Sequence, residues 1–189
     1  LTFDGINQAG GCGGCLPPDT NGEVGPNHYI QTVNSSFEIW NKSGTVVQTS
    51  RALNTLFSGF GGACQTQNSG DPTVNYDQFA DRWVISQFTS SSPYYQCVAV
   101  STTGDPTGTY NRYAFFESNT ALYDYPKISV WPDGYYMTAN VFAGASSFDN
   151  PSIMAFDRTS MLAGTAATAQ EFIPGSFYSN LLAADVDGA

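Results

Sequence analysis

Oxygen-bearing side chains recur at two places in this sequence with the same spacing. Leu16-Pro17-Pro18-Asp19-Thr20-Asn21-Gly22 and Leu182-Ala183-Ala184-Asp185-Val186-Asp187-Gly188 both fit L-x-x-D-x-[ND]-G, with their aspartates 166 positions apart. Asp19, Asn21 and Glu23, with Asp185 and Asp187, supply the hard oxygen ligands that calcium prefers. Asp71 heads a related stretch, Gly70-Asp71-Pro72-Thr73-Val74, and completes the candidate metal set. Calcium is the one cofactor these residues suggest. Neither loop is an EF-hand, because Gly stands fourth instead of sixth and the closing Glu is missing. The favoured reading of the same residues is the Asx-turn, in which a side-chain oxygen accepts a backbone N–H at a strand entry.

Aromatic side chains are the second resource. Tyr125 and Trp131 are the candidate ligand-binding residues, within a surplus that includes Tyr94, Tyr95, Tyr123, Tyr135 and Tyr136. Aromatic faces stack on sugar rings and anchor protein interfaces, and they also fill the space between packed sheets. Asp77, Asp81, Asp124 and Asp133 are acids from which a glycosidase pair, two carboxyls about 5–10 Å apart, can be drawn. His28 is the sole histidine, which excludes a His-rich zinc site, and H-E-x-x-H, G-x-S-x-G and P-loop patterns are lacking. It reads as a structural or surface residue rather than a general base. No catalytic residue is assigned, and whether the protein is an enzyme stays open.

Cys12, Cys15, Cys64 and Cys97 allow more than one pairing. Cys64–Cys97, with Cys12–Cys15 closing a small Gly-Gly loop, is the favoured arrangement. Cys12-Gly-Gly-Cys15 has zinc-knuckle or redox spacing. A zinc site needs a second ligand pair, and a thioredoxin-like site needs a helix where Leu16-Pro17-Pro18 follows.

A repeated set of strands must position these groups. Gly70-Asp71-Pro72 and Asp124-Tyr125-Pro126 each set Pro before an apolar run, and the residue before Pro is pushed towards extended geometry. About a dozen residues after the Leu16-Pro17-Pro18-Asp19 stretch and after each of these two anchors a second strand is expected: Tyr29–Val33, Trp83–Gln87 and Tyr135–Ala139. Their opening aromatics are 54 and 52 positions apart. Third strands are expected at Phe37–Trp40, Gln96–Val100 and Ser152–Phe156, and fourth strands at Thr45–Gln48, Tyr113–Phe116 and Gln170–Ile173. Lys42-Ser43-Gly44, Asp105-Pro106-Thr107-Gly108 and Pro132-Asp133-Gly134 supply turns. A short helix is expected at Thr159–Ala163, stopped by Gly164. The units are approximately 16–70, 71–123 and 124–181, with 182–189 opening a fourth. Four strands in about 50 residues matches a propeller blade. The fold class is therefore all-β, a β-propeller portion in a single domain of 1–189, with a β-sandwich as the alternative.

Composition narrows the partners. Acids outnumber bases 16 to 6, for a net charge of -10. Phosphate backbones need Lys and Arg, so nucleic acid is not an expected partner. No apolar run is long enough to span a bilayer. The composition reads as that of a secreted, extracellular protein, which favours disulfides over free thiols.

Pro17-Pro18-Asp19-Thr20-Asn21-Gly22-Glu23-Val24-Gly25, Gly70-Asp71-Pro72-Thr73-Val74-Asn75-Tyr76-Asp77 and Asp81-Arg82-Trp83-Val84 resemble secreted bacterial β-propeller proteins of a broadly sialidase-like type. The resemblance implies architecture and not activity. The S-x-D-x-G-x-T-W box is lacking, and Arg51, Arg82, Arg112 and Arg158 match no catalytic arginine motif. The expected function is an extracellular recognition or scaffold module binding glycan or protein through a propeller face. The alternative is a secreted glycan-active hydrolase or lyase with its site at the channel mouth. Further polypeptide completing the ring is expected as a partner.

Overall fold

The computed structural model describes residues 2–14 and 16–186. They form three four-stranded antiparallel sheets, each a meander taken in chain order. Sheet 1 holds β1 (Asn21–Val24), β2 (His28–Val33), β3 (Ser36–Asn41) and β4 (Val46–Ala52). Sheet 2 holds β5 (Thr73–Asp77), β6 (Arg82–Phe88), β7 (Tyr94–Ser101) and β8 (Tyr110–Ser118). Sheet 3 holds β9 (Ala121–Val130), β10 (Tyr135–Ala143), β11 (Ser147–Phe156) and β12 (Ala169–Phe172). Short helices lie between them: α1 (Gln8–Cys12), a 3-10 turn at Leu53–Phe57, α2 (Gly62–Thr66) and α3 (Arg158–Ala163). α3 stops at Gly164, whose φ of 70° places it in the left-handed region that glycine tolerates.

The repeat seen in sequence is carried into register. Tyr29 pairs with Val24, Trp83 with Tyr76 and Tyr135 with Val130, each near the first turn of its sheet. The three aromatics thus occupy matching places in successive sheets.

Packing runs in series. Ile30, Phe37, Ile39 and Leu53 of the first unit meet Val74, Trp83 and Ile85 of sheet 2. The opposite face of sheet 2, with Val84, Val98, Val100 and Phe115, meets Tyr123, Ile128, Met137 and Val141 of sheet 3. Sheet 2 is buried on both sides, so β6 and β7 are buried at nearly every residue rather than at alternate ones. β12 has no such second layer and is exposed along its length. Across sheets, the closest approaches are those of β1 to β5 and of β5 to β9.

Two fasteners reinforce the stack. The Cys64–Cys97 disulfide ties α2 to β7, over a small core of Phe57 and Ala99. Cys12 is also disulfide-bonded, whereas Cys15 lies outside the described residues. The second fastener is the buried Asp77 carboxylate. It accepts from Arg158 Nε at 2.7 Å, Arg158 Nη2 at 3.0 Å and the Tyr135 hydroxyl at 2.8 Å. One acid of sheet 2 therefore holds both sheet 3 and α3. No helix among the described residues is long and apolar enough to cross a membrane.

Candidate functional site

The starts of the three units converge. Asp19 and Asp71 lie just before β1 and β5, Tyr125 lies inside β9 between two paired stretches, and their φ values are 43°, 44° and 56°. Aspartate tolerates this left-handed backbone, but a tyrosine there is an outlier. The Tyr125 N–H donates to Asp71 Oδ2 at 3.1 Å, so one unit's acid holds the next unit's strained residue. Tyr125 and Pro126 have no partner on β10, where the pairing slips between Thr138 and Asn140. The tyrosine is thereby turned outward, and it is 41% exposed.

Charge is concentrated around that ring. Burial, then the nearby carboxylates of Asp19 and Asp124, push the Asp71 carboxyl up to about 6. Burial raises Asp19 as well, against the opposing pull of Lys127. Burial lowers Lys127, while Asp71, Asp19 and Asp124 pull it back. Its Nζ sits 4.1 Å from the Tyr125 ring centre, a cation–π contact. The result is an exposed aromatic face, one ammonium and three carboxylates in a single neighbourhood.

The other residues of the candidate metal set are dispersed and hydrogen-bonded. Asn21 Oδ1 accepts the Val74 N–H at 2.7 Å, tying β1 to β5. Glu23 Oε1 accepts the adjacent Val24 N–H. Asp185 Oδ1 accepts the Val130 N–H at 2.6 Å and its Oδ2 accepts from Asn75 Nδ2 at 3.2 Å, tying the last described segment to β9 and β5. Asp187 lies outside the described residues. Among the described residues, no group of three or more His, Cys, Asp or Glu is arranged to hold a metal ion. At Asn21 and Asp185 the oxygens cap a neighbouring strand's N–H groups.

No protein-family model matches the chain, and no curated protein or solved structure matches it either.

Trp131 does not join Tyr125. It follows the far end of β9, roughly 20 Å away at strand rise, and its Nε1 donates to Ala184 O at 2.6 Å. There it lines an apolar groove with Tyr136, Ile153, Leu181 and Leu182. The acids considered for a glycosidase pair are likewise separate. Asp77 holds Arg158, Asp81 accepts from the Tyr76 hydroxyl and Asp133 accepts from the Tyr136 hydroxyl. Only Asp124 reaches the cluster. His28 opens β2, at the opposite end of β1 from Asp19. Arg51 and Arg112 line a different cleft, of about 260 Å³, with Tyr110, Thr107 and Leu56.

Lys127 was missed in sequence. Its position after the Pro126 anchor is the signal that marks it as a neighbour of the unit starts. The pairing of Asp77 with Arg158 has no local signal, because the residues are 81 positions apart.

Proposed function

We propose that the chain is a β-propeller portion and acts as a secreted, non-catalytic recognition module, with the convergent unit starts as its binding face and glycan as its ligand. Support for the propeller reading comes from the stacking in series of three meanders whose first strands adjoin. The observation that carries the binding reading is Tyr125, held outward on strained backbone beside Lys127, Asp19, Asp71 and Asp124. Backbone strain of about 1–3 kcal/mol persists where surrounding structure over-determines it, and it clusters at ligand-contacting positions. An exposed ring offers the apolar face that stacks on a sugar. Carboxylates accept hydrogen bonds from sugar hydroxyls and the ammonium donates to ring or hydroxyl oxygens.

The experiment is a glycan array followed by titration of the best hit. Tyr125→Ala is expected to weaken binding at least tenfold, and Trp131→Ala is not. Equal loss in both variants, or none in either, overturns the assignment. Binding of extracellular protein instead of glycan moves the ligand class but keeps the face.

One observation favours the enzymatic alternative. Asp71, raised to about 6 beside two further acids, has the raised carboxyl of a general acid. Release of reducing sugar that is abolished by Asp71→Asn establishes hydrolysis. Binding without release establishes recognition alone.

A further inference from the structure

A second polar cluster lies away from the unit starts, at the outer rim where sheet 2 meets sheet 3. Glu117 is on β8, two residues beyond the core residue Phe115. Both of its carboxylate oxygens are buried without a hydrogen-bond partner in the protein. Gln96 on β7 pairs with Phe115 and so shares that face. It is 0% exposed, and neither its amide oxygen nor its amide nitrogen has a protein partner. From the facing sheet comes Asn150, paired through Val141 with Tyr123 on the face that packs against sheet 2. Its buried Oδ1 is also unpartnered. Glu171 on β12 completes the group, with Oε1 accepting from the Ser152 hydroxyl at 2.7 Å and the Tyr123 hydroxyl at 2.9 Å.

These groups are unusual in being nearly all acceptors. Buried polar atoms are normally hydrogen-bonded, and an unsatisfied one costs about 1–3 kcal/mol. The charge acting on Glu117 is a like charge, that of Glu171, and with burial it pushes the Glu117 carboxyl well above its usual range. A single proton on Glu117 supplies one donor. Against four unpartnered oxygens, two of Glu117 and one each of Gln96 and Asn150, the unpartnered donors are the Gln96 Nε2 amide and that one hydrogen. A cation satisfies several of those oxygens together.

The backbone is shaped for this. The pairing of β7 with β8 slips between Tyr94 and Tyr95, so Glu117 is the extra residue of a bulge. The pairing of β10 with β11 slips between Val141 and Phe142, beside Asn150. Bulges re-aim side chains and occur next to sites. Glu171 is exposed on the edge strand, which gives an approach from solvent.

We propose that this rim is a calcium-binding site, with Glu117 and Glu171 as carboxylate ligands and Asn150 and Gln96 as amide-oxygen ligands. Two carboxylates with neutral oxygens suit calcium, which accepts irregular oxygen cages, better than magnesium, which demands near-ideal octahedral geometry. The site is distinct from the unit-start acids, and it stands or falls separately from the glycan reading.

The test is thermal unfolding and isothermal titration calorimetry of the whole chain with calcium chloride, and with magnesium chloride as the comparison. Calcium at about ten times its dissociation constant is expected to raise Tm by about 3–6 °C. Glu117→Gln keeps the shape, removes the buried charge and is expected to abolish that response while folding at least as stably. Glu171→Gln is expected to weaken calcium binding at least tenfold, and Asp71→Asn to leave it unchanged. The proposal is overturned by a wild-type protein with no calcium response. It is equally overturned by a response that survives Glu117→Gln, which places the ion elsewhere. A Glu117→Gln protein that is stabilised while wild type ignores calcium assigns the cluster to a shared proton or to water.

Discussion

At the level of single residues, the Asp71 carboxyl and the Asp77–Arg158 pair set contrasting demands. Asp71 titrates near 6 when folded and near its ordinary 3.8 when unfolded. The folded state therefore binds more protons between those values. Stability falls as pH rises through that window, since the slope follows the difference in bound protons. Denaturant unfolding at pH 4.5 and pH 7 is expected to show greater stability at the lower pH, with the difference reduced in Asp71→Asn. Asp77 has a different task. Removing one partner of a buried ion pair leaves an uncompensated charge, so Arg158→Leu is expected to cost about 3–5 kcal/mol. The double variant Asp77→Leu/Arg158→Leu is expected to lose less than the two single losses combined, because the charges vanish together. Chemical denaturation measures both.

At the level of elements, the connection from β4 to β5 is the longest between described strands, and the Cys64–Cys97 bridge holds it. The bridge closes a loop of 33 positions, for which loop-closure entropy gives a stabilisation of about 3–4 kcal/mol. Cys64→Ala/Cys97→Ala is expected to lose about 2–4 kcal/mol, read by urea denaturation. Gly25, after β1, marks another tight place. A Cβ there meets Trp83 Cζ2 at 2.6 Å, and Trp83 is a fully buried ring of the first inter-sheet core. Gly25→Ala is expected to destabilise by about 1–3 kcal/mol through overpacking, with a loss of tryptophan near-UV signal. The elements themselves were legible in sequence. Nine expected strands lie in or overlap β2–β4, β6–β8 and β10–β12, and the Thr159–Ala163 helix lies in α3. Alternation, Pro anchors and Gly or Asp turns are local signals that act within a few residues. α1, the 3-10 turn and α2 were not anticipated, because short turns packed under a disulfide carry little periodicity of their own.

At the level of the whole molecule, apolar surface is unevenly covered. Phe172, Ile173, Phe177, Tyr178 and Leu182 are exposed along and after β12, with Phe177 at 93%. Exposed apolar side chains gathered along one stretch of chain are a candidate interaction surface. Sedimentation is expected to show concentration-dependent association that Phe172→Ser/Phe177→Ser reduces. The propeller reading makes a geometric prediction at the same scale. In a crystal structure, β1, β5 and β9 line a common axis and β4, β8 and β12 spread away from it. A layered sandwich with parallel sheet planes refutes that reading.

Sequence alone determined the all-β class, the strand quartets and the matching aromatics Tyr29, Trp83 and Tyr135, because pleat alternation and turn chemistry are written into neighbouring residues. Tertiary structure decided which oxygens meet. Asp19, Asp71 and Asp124 are far apart along the chain and share one neighbourhood only because three sheets pack in series. Asn21 and Asp185, which resemble metal ligands in sequence, spend their oxygens on N–H groups of adjoining strands. Glu117, Gln96 and Asn150 carry no motif, and their significance lies wholly in burial that two facing sheets impose.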